Sequence, residues 1–135
     1  MSNHHAYQMY AHITWHTWQR VPCVNRPAAI DVDRAVANSS RDTGVHVLKS
    51  AVLSDHVHLL VAFRPDIRLA DFVRLAKSRS STMANRRIFG AVKWARGYYV
   101  ATVNRGDLVR LRHYLARQFE RHPNRIPRDP RHQPR

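Results

Sequence analysis

The chain has 135 residues with 23 Lys and Arg against 9 Asp and Glu, a net charge of +14 before any of its ten histidines is protonated. That length suits one domain, its 44% of hydrophobic residues suffices for a buried core, and no stretch nears the roughly 18–20 consecutive apolar residues of a membrane span. The positive excess points to polyanionic partners, and a lone Cys23 excludes an internal disulfide or a cysteine-rich metal knuckle.

In chain order, Tyr10, His12, Thr14 and His16 alternate with Ala11, Ile13, Trp15 and Thr17, the period of a strand, which stops near Pro22. Asn25 offers a helix cap and Pro27 an early helical position. Ala29, Val32, Ala35 and Val36 then recur at helical spacing until Gly44. Residues 45–53 and 57–63 are rich in branched apolar side chains, and the Ser54-Asp55 pair between them predicts an antiparallel hairpin.

Leu69, Phe72, Val73, Ala76 and Met83 mark one face of a second helix, fraying near Asn85, with Arg74, Lys77 and Arg79 around the remainder. A fourth strand follows over 98–103. Asp107 then opens a third helix running to about Arg121. The order β-α-β-β-α-β-α predicts an α+β fold: a ferredoxin-like split βαβ antiparallel sheet with helices on one face and an added C-terminal helix. From His122 onward, four prolines alternate with arginines and little is apolar, so the expected organisation is one domain over 1–121 and a mobile basic tail over 122–135.

Two constellations can carry chemistry. In Asp55-His56-Val57-His58-Leu59-Leu60-Val61 the two histidines point to one face of a strand, where paired imidazoles suit a metal ion. Two half-exposed histidines at a strand start are the plainer alternative. In the last helix Leu108, Leu111, Leu115 and Phe119 form an apolar stripe. At about 100° per residue, Gln118 falls roughly 20° and Tyr114 roughly 60° from Leu111, one turn apart at the edge of that stripe. A tyrosine there is commonly a packing residue with its hydroxyl in water. Joined with the histidine pair, the amide oxygen of Gln118 completes a donor set for a hard divalent cation, and the Tyr114 phenol becomes a nucleophile toward phosphorus.

These stretches resemble a known family, the small single-tyrosine HUH transposases of the insertion-sequence kind and their REP-associated relatives. Residues 55–61 resemble its histidine-hydrophobe-histidine strand, residues 96–103 the segment before its catalytic helix, and residues 111–118 the tyrosine helix itself. The resemblance spans about Tyr10 to Phe119. It implies His56, His58 and Gln118 as ligands of Mg or Mn, and Tyr114 as the nucleophile. Implied too are cleavage of single-stranded DNA at the foot of a hairpin, a 5′-phosphotyrosine intermediate, and a homodimer whose tyrosine helix can serve the partner's histidine pair. The connection Val103-Asn104-Arg105-Gly106-Asp107 is shorter and more basic than the family's.

The absence of a Gly-rich phosphate loop or a G-x-S-x-G elbow leaves nucleotide hydrolysis and serine esterase chemistry with little support. A non-catalytic module for single-stranded nucleic acid is the reading from another class, with arginines and rings clamping unpaired bases. A REP-associated host enzyme shares the chemistry but not the biology. Arg74, Lys77, Arg79, Arg110 and Arg117 are the candidate phosphate contacts, although an exposed helical arginine is commonly just a solvated face. Arginine makes up 20 of the 23 basic residues, which suits bidentate phosphate binding but also fits a biased genome composition. Tyr98 and Tyr99 read as packing residues, while Tyr7, His12 and His16 form an N-terminal ring cluster without an assigned role. The N-terminus lacks a secretory charged-then-apolar layout, so a cytoplasmic location is expected.

Overall fold

The computed structural model describes residues 9–130. Strand β1 (Met9–His16) leads into helix α1 (Arg26–Thr43), the hairpin β2 (His46–Val52) and β3 (His56–Phe63), helix α2 (Leu69–Arg87) and strand β4 (Tyr99–Val103). The sheet is antiparallel in the order β2-β3-β1-β4, which is the split βαβ arrangement expected of the element order. Two short helices, α3 (Leu108–Ala116) and α4 (Gln118–Arg121), complete the regular structure.

Local chemistry sets the boundaries. Asn25 caps α1 by accepting from the Ala28 amide at 3.0 Å, Pro27 sits in its first turn, and Gly44 closes it at φ +80, where a Cβ would be strained. Alternation along β1 and β3 sends Ala11, Ile13, Trp15, Val57, Leu59 and Val61 into the core beneath α1 and α2, where they meet Val32, Val36, Phe72, Val73 and Ala76. The buried Asp31 of α1 is ion-paired with Arg87 at the end of α2, tying the two helices together.

The opposite face of the sheet carries Tyr10, His12, Thr14 and His16 of β1 beside His56, His58 and Leu60 of β3. Helix α3 lies over this face, burying Leu115 against it. Helices therefore cover both faces, and the added C-terminal element brings its side chains to the histidines.

Two expectations for the C-terminal region differ from what is found. The third helix is not continuous to Arg121: Arg117, at φ −92 and ψ 3, interrupts it, and its amide is shared between the carbonyls of His113 and Tyr114. The break leaves Phe119 at 39% exposure rather than in the apolar stripe. The segment set apart as a mobile tail is attached to the body over 122–130. Ser54 N–H donates to the Arg125 carbonyl at 2.7 Å, Arg26 N–H to the Arg128 carbonyl at 2.9 Å, and Arg125 pairs with Asp55. Main-chain hydrogen bonds and one buried carboxylate make this attachment, and neither depends on apolar content. Among the described residues no helix is long and apolar enough to cross a membrane.

Candidate active site

Register decides which groups meet. His56 pairs across the sheet with His16, and His58 with Thr14, so His12 becomes the diagonal neighbour of His58 on the same face. The His56 and His58 rings are edge-to-face at 4.8 Å, and the His12 ring meets His58 edge to edge, centroids 5.2 Å apart and Nε2 3.0 Å from His58 Nδ1. Helix α3 sets Tyr114 edge-to-face on His58 at 6.2 Å between ring centroids. One cavity is lined by His16, Arg20, His56, His58, Tyr114, Gln118 and His122.

Burial favours the neutral form of three of these imidazoles, His12, His56 and His58. Burial pushes His58 down to about 3, with the neighbouring His56, His12, His122 and Arg20 adding to the effect. Burial also lowers His12 and His56, and for His56 the adjacent Asp55 opposes the shift. The buried Asp55 carboxylate accepts a hydrogen bond from His56 Nδ1 at 2.7 Å, which leaves His56 Nε2 with a free lone pair.

Gln118 is fully buried where the helix breaks. Its Nε2 donates to the Tyr114 carbonyl at 3.2 Å, while its Oε1 is buried with no hydrogen-bond partner. An orphaned amide oxygen lining the same cavity as two neutral imidazoles fits a divalent cation. Among the described residues no three His, Cys, Asp or Glu side chains could hold a metal, so a site here would need this oxygen as its third protein donor. Tyr114, half-buried, has the Arg121 guanidinium over its ring at 5.1 Å. The structure thus brings His56, His58, Tyr114 and Gln118 together within one chain.

The candidate DNA contacts are spread more widely. Arg74 is exposed and pairs with Asp71 at 2.9 Å, beside a groove between α2 and residues 92–98. Lys77 lines that groove too, but its Nζ donates to the Ala95 and Gly97 carbonyls, both at 2.8 Å. Arg79 bridges to Asp42 of α1 at 2.8 Å. Arg110 pairs with Asp107 and lines a second groove with His12, Tyr99 and Tyr114, while Arg117 is exposed at the helix break. Tyr98 and Tyr99, read as packing residues, are 45% and 60% exposed and line these two grooves.

Sequence reasoning assigned no role to His12, His16, Arg20, His122 or Arg125. Alternation had placed His12 and His16 on one face, but only the β1–β3 register shows which histidine each meets. His16 Nδ1 donates to the Thr17 carbonyl at 2.9 Å, and Tyr7 lies outside the described residues.

Comparison with known proteins shows the family and the fold. Residues 5–118 match the family model described as transposase, IS200 like. The ISDra2 transposase TnpA of Deinococcus radiodurans is 23% identical over 124 residues, covering 87% of this chain and 89% of the relative. The transposase for insertion sequence element IS200 of Salmonella typhimurium is 31% identical over 84 residues, covering 56% of this chain and 54% of the relative. Two solved structures share the fold. A REP-associated tyrosine transposase bound to a REP hairpin aligns with TM-score 0.72 and 16% identity over 90% of this chain and 74% of its own. A proposed transposase from Deinococcus radiodurans aligns with TM-score 0.67 and 22% identity over 87% of this chain and 96% of its own. With a family match running through nearly the whole described domain, the chain belongs to the IS200-like transposases.

Proposed function

We propose that this chain is a metal-dependent endonuclease and strand-transferase of single-stranded DNA that works through a 5′-phosphotyrosine intermediate. The observation that carries the reading is the convergence, in one cavity, of the Tyr114 ring, two neutral imidazoles and the unpartnered oxygen of Gln118. In the reaction Tyr114 Oη bonds to phosphorus and the bond from phosphorus to the 3′ oxygen breaks. That oxygen leaves with the electron pair and takes up a proton, while the phenol proton passes to solvent. The free 3′-hydroxyl and the phosphotyrosine bond together conserve the energy needed to rejoin a new junction.

His56, His58 and Gln118 would hold Mg or Mn, which supplies Lewis-acid polarisation of the phosphate and a template for its orientation. Asp55 orients His56, and the stacked Arg121 fixes the attitude of the Tyr114 ring. The meeting of the tyrosine and the histidine pair within one chain supports a site formed in cis. A homodimer remains the proposed assembly, since β2 and β4 are the outer strands of the sheet and offer open edges for joining.

The substrate proposed is single-stranded DNA with hairpin ends. The structural neighbour solved with a REP hairpin supports it, as does the net charge of +14. Arg74, Lys77, Arg79, Arg110 and Arg117 are the proposed phosphate contacts, with Arg74, Arg110 and Arg117 the most exposed of them. Labelled single-stranded oligonucleotides from the flanking DNA, incubated with Mg²⁺ or Mn²⁺ and resolved on a denaturing gel, test the reading. Wild type should give a shifted covalent band that is lost in Tyr114→Phe and with EDTA. Tight binding without cutting under either metal would instead establish the non-catalytic binding module.

A further inference from the structure

One cation in the cavity is used neither by the proposed metal donors nor by the nucleophile. Arg20 ends a short turn, Trp18–Arg20, directly after β1, and lines the same cavity as His56, His58, Tyr114 and Gln118. Gln19 and Arg20 both adopt left-handed backbone conformations, at φ +52 and +57. Side chains with a Cβ avoid this region, and two in succession persist only where the surroundings impose them.

The surroundings do impose them. Arg20 N–H donates to the Thr17 carbonyl at 3.0 Å and Val21 N–H to the Trp18 carbonyl at 3.2 Å. The buried Thr17 hydroxyl reaches the Val21 carbonyl at 2.7 Å, and Thr17 N–H donates to the Asp55 carbonyl at 2.8 Å. The turn is thereby bonded to the loop that precedes the histidine pair, so Arg20 and the proposed metal donors are held in one frame.

The neighbouring arginines are already engaged. Arg121 lies on the Tyr114 ring and Arg125 pairs with Asp55, whose other oxygen accepts a hydrogen bond from His56 Nδ1. Among the described residues no carboxylate lies within ion-pairing distance of Arg20, although its charge reaches His56 and His58. The exposed Arg20, a planar fork of donors carried on a strained turn beside the tyrosine and the imidazoles, suits an oxyanion, which on the DNA-cleavage reading is a phosphodiester.

We propose that Arg20 is a catalytic residue that donates to a non-bridging oxygen of the scissile phosphate and offsets the charge that accumulates there as Tyr114 attacks. The proposal rests on the DNA-cleavage reading above. Arg20 transfers no proton or atom in the step, and its contribution is electrostatic, larger in the transition state than in the bound substrate.

The test is single-turnover adduct formation by wild type, Arg20→Ala and Arg20→Lys on a labelled single-stranded oligonucleotide that wild type cleaves. Oligonucleotide affinity, Mn²⁺ affinity and melting midpoint are measured beside it. Arg20→Ala should slow adduct formation by about 100-fold or more while binding strand and metal within about threefold of wild type. Arg20→Lys keeps a charge in the same turn but loses the fork, and should recover about 10-fold of that loss at an unchanged melting midpoint. Cleavage by both variants within about threefold of wild type would overturn the proposal. So would a rate loss matched by an equal loss of Mn²⁺ affinity, which would place Arg20 behind the metal site. Failure of the underlying reading is distinguishable, because wild type itself would then form no adduct.

Discussion

His12 Nε2 lies 3.0 Å from His58 Nδ1, with the two rings nearly coplanar, 17° from parallel. For His58 to offer a lone pair from Nε2, its proton must sit on Nδ1 and be donated to His12. The residue from β1 would thereby select the tautomer of a proposed ligand on β3, a role that outer-shell partners of metal-binding histidines commonly perform. His12→Phe keeps an aromatic ring at the position but removes the acceptor, and should weaken Mn²⁺ binding by about 10–100-fold. His12→Gln restores an acceptor and should regain part of the loss. Electron paramagnetic titration of Mn²⁺ reads both, and unchanged affinity in His12→Phe would remove His12 from the metal site.

Gln118 poses a conflict between stability and binding. Its Oε1 is buried without a partner, and such an atom costs about 1–3 kcal/mol. Gln118→Leu removes it together with Nε2, so the metal-free protein should gain about 1 kcal/mol. In Mn²⁺ at a hundred times its Kd, wild type should gain about 2.7 kcal/mol and the variant far less. Urea denaturation in EDTA and in Mn²⁺ reads both effects. A variant less stable than wild type in EDTA would show that the amide belongs to the packing alone.

Acid should destabilise the metal-free protein through the same cluster. Burial holds the folded His58 at about 3 against an ordinary 6.5. Below about pH 6.5 the unfolded chain therefore takes up a proton that the folded protein refuses. Stability is complete above that pH and declines as pH falls toward 3. His12 and His56, lowered in the same direction, add to the slope. Urea midpoints in EDTA between about pH 7.5 and 4.5 should fall more steeply for wild type than for His58→Asn. Parallel curves would mean that His58 takes up protons equally in both states.

The contrast between what was and was not legible follows from the range of each signal. Asn25, Pro27 and Gly44 bound α1 through contacts within a turn, and period-two alternation put Trp15 in the core and His56 with His58 on the other face. These are local rules, and they sufficed for the sheet, its helices and the candidate donors. The interruption at Arg117 carries no glycine or proline to announce it, so helical arithmetic carried past residue 116 misplaced Phe119. His12 reaches His58 through strand register and Arg20 reaches the cavity on a strained turn, and both depend on partners distant in sequence.

The segment after His122 shows how such a distant partner enters the site. Its Arg125 carbonyl accepts from the amide of Ser54, a buried residue, and its guanidinium sits 3.6 Å from the Asp55 carboxylate that orients His56. A chain ending at His122 leaves that amide and one carboxylate oxygen without these partners. Solvent entering the vacated space replaces part of the loss, and the ion pair is partly exposed, so the expected cost is about 1–3 kcal/mol. A detached tail would cost nothing. The consequence extends to the metal site, because Asp55 freed from Arg125 holds His56 less firmly, and Mn²⁺ affinity should fall with stability. Arg125→Ala keeps the main-chain bond and should lower affinity with a smaller loss of stability, which separates the two contributions. If truncation after His122 leaves both the urea midpoint and the Mn²⁺ affinity unchanged, the packing of this segment has no part in shaping the cleft.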